Sequence, residues 1–233
     1  MEFGAKIIYT FSEDIPLIGG FRLTETVTTT WIIMAILIIG SSILTKNFEK
    51  VPRRVQNAVE IFVDAIYGLT SSTMGEDKLS FAPYIGTLIL YLAISNISGL
   101  FAVRPPTADL NTTLSLSLMT FFLIHFNGIR RKGFFGYLKG LTEPFVALTP
   151  INVLGEIATP ISLSFRLFGN MVGGLIIMSL VYSALAGFSG GSIPFLQFGI
   201  PIVLHAYFDL FSGLLQTFIF AMLSMIFISG AMD

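Results

Sequence analysis

The chain has 233 residues, 54% of them hydrophobic and only 12% charged, and its mean hydropathy is +0.82. Soluble domains run near a quarter charged, so this composition offers too little polar surface for a water-soluble globule and excludes a soluble enzyme. The 13 basic and 14 acidic residues leave a net charge of −1 with nothing to attract nucleic acid, and the absence of Cys excludes disulfides, thiolate metal sites and Cys nucleophiles.

The first 25 residues hold no apolar run long enough for a signal sequence and carry acidic residues that such a sequence avoids. Residues 1–26 therefore read as an N-terminal segment ahead of a permanent first span. A bilayer core of about 30 Å takes roughly 20 helical residues to cross, and five stretches reach that length, at 27–45, 81–101, 112–129, 152–186 and 195–230. At about 1.5 Å per residue the last two are much longer than the bilayer is thick, so they are expected to tilt strongly, kink or lie partly in the interface.

Between the first two spans, residues 52–75 place Val55, Val59, Phe62, Val63 and Ile66 at helical spacing, with Arg53, Arg54, Glu60 and Asp64 elsewhere around the wheel. This pattern predicts an interfacial amphipathic helix. The Pro-broken apolar stretch at 133–150 is expected to lie along the same face of the membrane.

Lys46, Lys50, Arg53 and Arg54 follow the first span, and Arg130, Arg131 and Lys132 follow the third. The positive-inside rule makes both loops cytoplasmic. The N-terminus, residues 104–111 and the Gly-rich turn at 187–194 then lie outside, and the C-terminus lies inside. The predicted fold is an all-α polytopic membrane protein with five spans, a six-span version that splits one long segment being the competing count. No internal repeat supports an inverted-repeat transporter.

From Leu148 to Met232 only Glu156, Arg166 and Asp209 are charged, and all three fall inside the long helices. A charge at mid-helix costs about 2.5 to 3.5 kcal/mol on insertion scales, and such residues face a bundle interior or water. Arg166 is too far from either helix end to snorkel. Ser162, Asn170 and Gly173 share its face and Gly169 flanks it, so a partner helix can come close, either through small-residue packing alone or to present a carboxylate to a guanidinium that stays charged at any physiological pH. In the last helix His205, Asp209, Gly213 and Gln216 form one stripe, with Ser212 beside it. Imidazole, carboxylate and amide on an apolar helix mark an ion or proton path. Glu156 lies ten residues before Arg166, nearer the cytoplasmic end, with Pro160 expected to bend the helix between them; a carboxylate there suits the mouth of an inner half-channel.

Three motifs, PPTADLNTTLSL at 105–116, PINVLGEIATPISLSFRLFGNMVGG at 150–174 and LLQTFIFAML at 214–223, resemble the membrane-embedded a subunit of bacterial F-type ATP synthases. The resemblance covers nearly the whole chain from Arg53 onward. It implies a stator against which a ring of c subunits turns, with b subunits of the peripheral stalk and the rest of the complex as partners, in the bacterial plasma membrane. It implies that Arg166 faces the ring carboxylate at mid-membrane, that Gln216 faces Arg166, that Asn170 lies near it, and that Glu156 belongs to the cytoplasmic exit side of two offset half-channels.

Two positions depart from common family patterns: Leu175, nine residues after the Arg, cannot titrate, and Asp209 stands where the family varies among His, Glu and Gly. The outer half-channel's main carboxylate is therefore assigned to Asp209, with His205 as a neighbour. The Ser, Asn and Asp oxygens suit H⁺ or a transient Na⁺, since the ring's own site decides the ion and is not in this chain. No cofactor is expected. The chain has no Gly-rich phosphate loop with its Lys and Ser/Thr, so catalysis belongs to partner subunits. A stand-alone secondary ion transporter is the alternative function, and a purely structural anchor is disfavoured by the three midmembrane charges.

Overall fold

The computed structural model describes residues 6–10, 22–46, 48–49, 54–101, 103–143, 145–188 and 195–233. Lys50, Arg53 and most of the Gly-rich turn at 187–194 lie outside the described residues. Eight α-helices carry the fold among them: α1 (Glu25–Thr45), α2 (Arg54–Met74), α3 (Ala82–Ile97), α4 (Leu110–Lys132), α5 (Phe134–Leu141), α6 (Thr149–Phe188), α7 (Phe195–His205) and α8 (Gly213–Met232). Five helical segments are long and apolar enough to cross a membrane, the number predicted from the sequence. Composition did not foretell a short antiparallel ribbon ahead of α1, in which β1 (Ile7–Thr10) pairs with β2 (Arg22–Thr24) in the register Ile7 to Thr24 and Thr10 to Arg22.

Two features mark the long helical segments. The last long segment is not one α-helix: α7 passes into a π-helical stretch at Ala206–Ser212 before α8 resumes. Second, α6 runs unbroken for 40 residues through Pro160. Pro160 removes one backbone donor, and the helix continues on both sides of it.

The chain divides into two compact units, one of residues 1–41, 90–112 and 168–217 and another of residues 42–89, 113–167 and 218–233. In the second unit Met74, Ile85, Ile124, Met225 and Ile228 form the apolar core. Between helices in lipid, close packing and small polar side chains replace the hydrophobic effect as the cohesive force. Accordingly Gly86 receives Ile66 of α2 at 3.5 Å from where a Cβ would stand, and Tyr84, Thr120 and Ser224 link α3, α4 and α8 through hydroxyl contacts of 3.3 and 3.4 Å.

Lys78 is 3% exposed. Its amine donates to Ser229 Oγ at 2.9 Å and to the Asp233 carboxylate, while Ser229 Oγ donates to the Met74 carbonyl at 3.4 Å. This latch fixes the end of α8 on the turn after α2, where Gly75 at φ 97° supplies a conformation that side-chain-bearing residues disfavour. The Lys78 hydrogen bond holds the Asp233 carboxyl below its usual range. Its contribution is present above the unfolded carboxylate pKa and is lost as pH falls through the lowered folded value.

At Gly133, φ 74° turns the chain from α4 into α5, and α5 lays Tyr137 over Gly128. A Cβ at Gly128 would lie 2.7 Å from Tyr137 Cε2 and 3.2 Å from the Ala231 carbonyl. Gly128→Ala is expected to destabilise by about 1 to 3 kcal/mol, as overpacked sites do, and to lower the melting temperature of the detergent-solubilised chain.

Candidate functional site

In the second unit, α6 is held on one side and open on the other. Leu163, Ser164 and Leu167 are each at most 2% exposed, and Ser164 Oγ meets Thr113 Oγ1 of α4 at 3.0 Å. That anchorage turns Arg166 outward. Arg166 is exposed and has no ion-pair partner among the described residues. With Gly155, Thr159, Ser162 and Phe227 it lines a shallow cavity of about 190 Å³. A Cβ at Gly155, Gly169 or Gly173 would meet nothing within 4 Å. Among the described residues, nothing fills the space at these small residues. Gly174 is the packing glycine, with Phe208 Cβ 3.5 Å from where its own Cβ would be.

Glu156 is not among the residues that line that cavity. Its Oε2 is 3.9 Å from His125 Nε2 of α4, and the His125 ring sits 5.8 Å from the Tyr137 ring of α5.

In the first unit, a line of three side chains crosses from α6 to the last helix. Tyr182 Oη contacts His205 Nε2 at 3.1 Å, and His205 Nδ1 contacts Asp209 Oδ2 at 2.5 Å. With Asp209 ionised, Nδ1 carries a proton and donates it, leaving Nε2 to accept from the Tyr182 hydroxyl. The Asp209 carboxylate lies against Gly99, whose absent Cβ would stand 3.2 Å from Asp209 Oδ1. A cavity of about 460 Å³, lined by Gly99, Leu100, Ile202, His205, Ala206 and Leu210, reaches the imidazole.

The π-helical turns rearrange the stripe that α-helical spacing predicts. His205 and Asp209 still touch, but Ser212 donates to Asn170 Oδ1 at 2.8 Å and Gly213 packs on Asn96, whose Cβ lies 3.1 Å from where a Cβ at Gly213 would stand. Asn96 is fully buried. Its Nδ2 donates to the Gly213 carbonyl at 2.9 Å and to Thr217 Oγ1 at 3.0 Å, while its Oδ1 accepts from Thr107 Oγ1 at 2.6 Å. Every polar atom of that amide oxygen and nitrogen is thereby occupied, which locks the π-helical stretch to α3 and to the Pro106–Ala108 turn. Gln216 is 6% exposed, and its Nε2 is buried without a hydrogen-bond partner among the described residues.

Sequence reasoning did not single out Tyr182, Asn96, Gly99 or His125. Asn96 had a visible signal, an amide inside the apolar run LYLAISNISGLF. Tyr182 had none, since it stands 23 residues from His205 and meets it only through the folded chain.

The chain matches the ATP synthase A chain family over residues 27–229. It is 43% identical to the sodium-ion-specific ATP synthase subunit a of Propionigenium modestum across 91% of this chain and 75% of that protein. It is also similar to ATP synthase subunit a 2 of Bradyrhizobium sp. (strain BTAi1), at 36% identity over 92% and 91% of the two chains, and to ATP synthase subunit a of Moorella thermoacetica, at 32% over 91% and 93%.

The contact at Gly99 predicts the effect of adding a single methyl there. Gly99→Ala is expected to push the Asp209 carboxylate from its seat and destabilise by about 1 to 3 kcal/mol; the melting temperature of the purified chain, compared with that of Gly169→Ala at an open position, checks it.

Proposed function

This chain belongs to the ATP synthase A chain family, and on that premise we propose that it passes H⁺ or Na⁺ through two offset half-channels to and from the carboxylates of the c ring. It is a multi-pass protein of the bacterial inner membrane and works with the c ring and the rest of the synthase. The finer reading places the N-terminus outside and the C-terminus in the cytoplasm, with b subunits of the peripheral stalk among its partners and the two last helical segments lying tilted against the ring.

The observation that supports the mechanism is Arg166, exposed and without an ion-pair partner among the described residues, on a face of α6 where no described residue lies within 4 Å of a Cβ built at Gly155, Gly169 or Gly173. A ring helix could approach that face closely, and the guanidinium would attract its carboxylate once the ion has left. As the ion returns from the other side, the carboxylate is neutralised and released. Because the guanidinium keeps its charge throughout, it also blocks direct passage between half-channels. An ion crossing 100 mV releases about 2.3 kcal/mol, which such a leak would dissipate. Asp209, with His205 and Tyr182 behind it, serves the outer half-channel; Glu156 serves the inner one; Ser162, Asn170 and Gln216 supply polar contacts around the ring carboxylate's path.

For the coupling ion, the Tyr182–His205–Asp209 line favours H⁺, because hydrogen bonds can relay a proton and cannot carry a metal cation. Similarity to a sodium-ion-specific subunit favours Na⁺. Titrating Na⁺ against ATP hydrolysis by the whole complex at fixed pH separates the two: stimulation at low millimolar Na⁺ or below selects sodium, and indifference selects the proton.

Arg166→Ala is expected to abolish ion-driven ATP synthesis in membrane vesicles while the complex still assembles; synthesis retained in that variant would overturn the mechanism. Asp209→Asn should lower synthesis on the order of 100-fold, the scale of losing a positioned proton-transfer group.

A further inference from the structure

We propose that α5 and the end of α4 form a docking surface for anionic phospholipid, with Phe134, Phe135 and Leu138 set into the apolar edge of the bilayer and Arg130, Lys132 and Lys139 at the headgroup phosphates. The surface needs only a chain that spans a membrane, so it stands apart from the half-channel reading above.

α4 ends in three basic residues, Arg130, Arg131 and Lys132, directly after its apolar run. That change from apolar to basic marks the level at which a span leaves the hydrocarbon. Gly133, at φ 74°, then redirects the chain into α5. With eight residues α5 is about 12 Å long, far too short to cross a bilayer, so it stays at that level.

The large apolar side chains of α5 are turned away from the protein. Phe135 is 84% exposed, Phe134 58% and Leu138 44%. Phe134 and Leu138 form one i, i+4 row, and Phe135 and Lys139 form the row beside it. The Phe134 and Phe135 rings meet edge to face, with centroids 5.7 Å apart. An apolar face bordered by a basic side chain is the pattern of a helix that lies in a membrane surface.

This exposure is built into the packing. Tyr137 is seated on Gly128, where an added Cβ would lie 2.7 Å from its ring. Asn152 of α6 donates to the Leu141 carbonyl at 2.8 Å and to the Glu143 carbonyl at 3.1 Å. α5 is thereby tied to α4 and to α6 while its phenylalanines stay open to a partner.

Charge selects that partner. Arg131 is engaged with Asp77 at 3.6 Å, and the Asp233 carboxylate is taken by Lys78. Glu76 and Glu143, on adjoining turns, are exposed. Arg130, Lys132 and Lys139 have no ion-pair partner among the described residues. Lys132 lies against α5, its Cβ 3.6 Å from where a Cβ at Gly136 would stand. Three basic side chains beside three exposed apolar ones, continuous with a membrane span, suit a phosphate headgroup with acyl chains attached. A neutral lipid would leave the basic groups without counter-charge, and a soluble anion would leave the phenylalanines in water.

The test uses the whole synthase in phosphatidylcholine vesicles, with the thiols of the other subunits replaced. The chain has no Cys, so a fluorophore attached to Phe135→Cys reports which lipids touch α5 while Phe134, Leu138 and the basic residues stay in place. Equal minor fractions of phosphatidylglycerol or phosphatidylcholine, brominated in their acyl chains, serve as quenchers. Phosphatidylglycerol should associate at least about fivefold more strongly, the scale of one basic residue at an anionic surface. Adding Arg130→Gln, Lys132→Gln and Lys139→Gln to the labelled chain should bring the two lipids to equality. A label at Ile36→Cys in α1, a position 56% exposed, should show no preference.

Equal quenching by the two lipids at Phe135→Cys overturns the proposal, whether or not the triple variant assembles. A preference that survives the triple substitution, or one of the same size at Ile36→Cys, also overturns it. Shielding of Phe135→Cys from both lipids does so as well, by showing that another subunit covers α5.

Discussion

A guanidinium in the middle of an apolar helix has to be stabilised by something, and among the described residues of this chain no carboxylate does so for Arg166. Burying such a charge without a partner is among the more expensive things a membrane protein can do. The chain keeps it on an open face and surrounds it with Gly155, Ser162, Gly169 and Gly173 rather than bulky apolar side chains. That arrangement makes little sense for a surface meant for lipid, and it fits a surface meant for another helix carrying a negative charge. On the proposed mechanism that negative charge comes from the c ring, which suits a subunit rather than a lone carrier.

Around that constraint, the two units solve different problems. In one, the fully satisfied Asn96 amide ties the π-helical stretch to α3, and this fixes where Asp209 stands. π-Helical turns are strained insertions that tend to persist at functional sites, and here the insertion coincides with the one acidic residue of that helix. In the other unit, rigidity comes from the Lys78 latch and the core around Ile85 and Ile228. On the proposed reading a stator must resist the torque of whatever turns against it, and both networks would then serve the same end, keeping the side chains assigned to the ion path in place while the partner moves.

Much of this was legible in the sequence, and the reasons are physical. Long apolar runs announce spans because the bilayer sets a minimum length, and three charges in 85 residues of apolar helix identify themselves by their cost. The role of each glycine was not legible. Gly169, Gly173 and Gly174 look alike on a helical wheel, yet only Gly174 packs against the chain's own Phe208. Helical spacing also assumed a constant 3.6-residue period, which the π-helical turns break, so the His205 to Gln216 stripe was drawn straight where the backbone shifts. His125 drew no attention in the sequence, because it needs the folded chain to bring Glu156 and Tyr137 to it across 31 and 12 residues of sequence.

The absence of Cys from the chain permits one direct measurement of the central claim, that the Arg166 face is where the ring docks. A single Cys at Gly169 should form a disulfide with a Cys placed one turn from the carboxylate on the ring subunit, and the cross-link should stop ATP hydrolysis by the coupled complex until reduced. A Cys at Gly174, behind Phe208, should form none. Absence of the cross-link at Gly169, or equal cross-linking at both positions, would contradict the account.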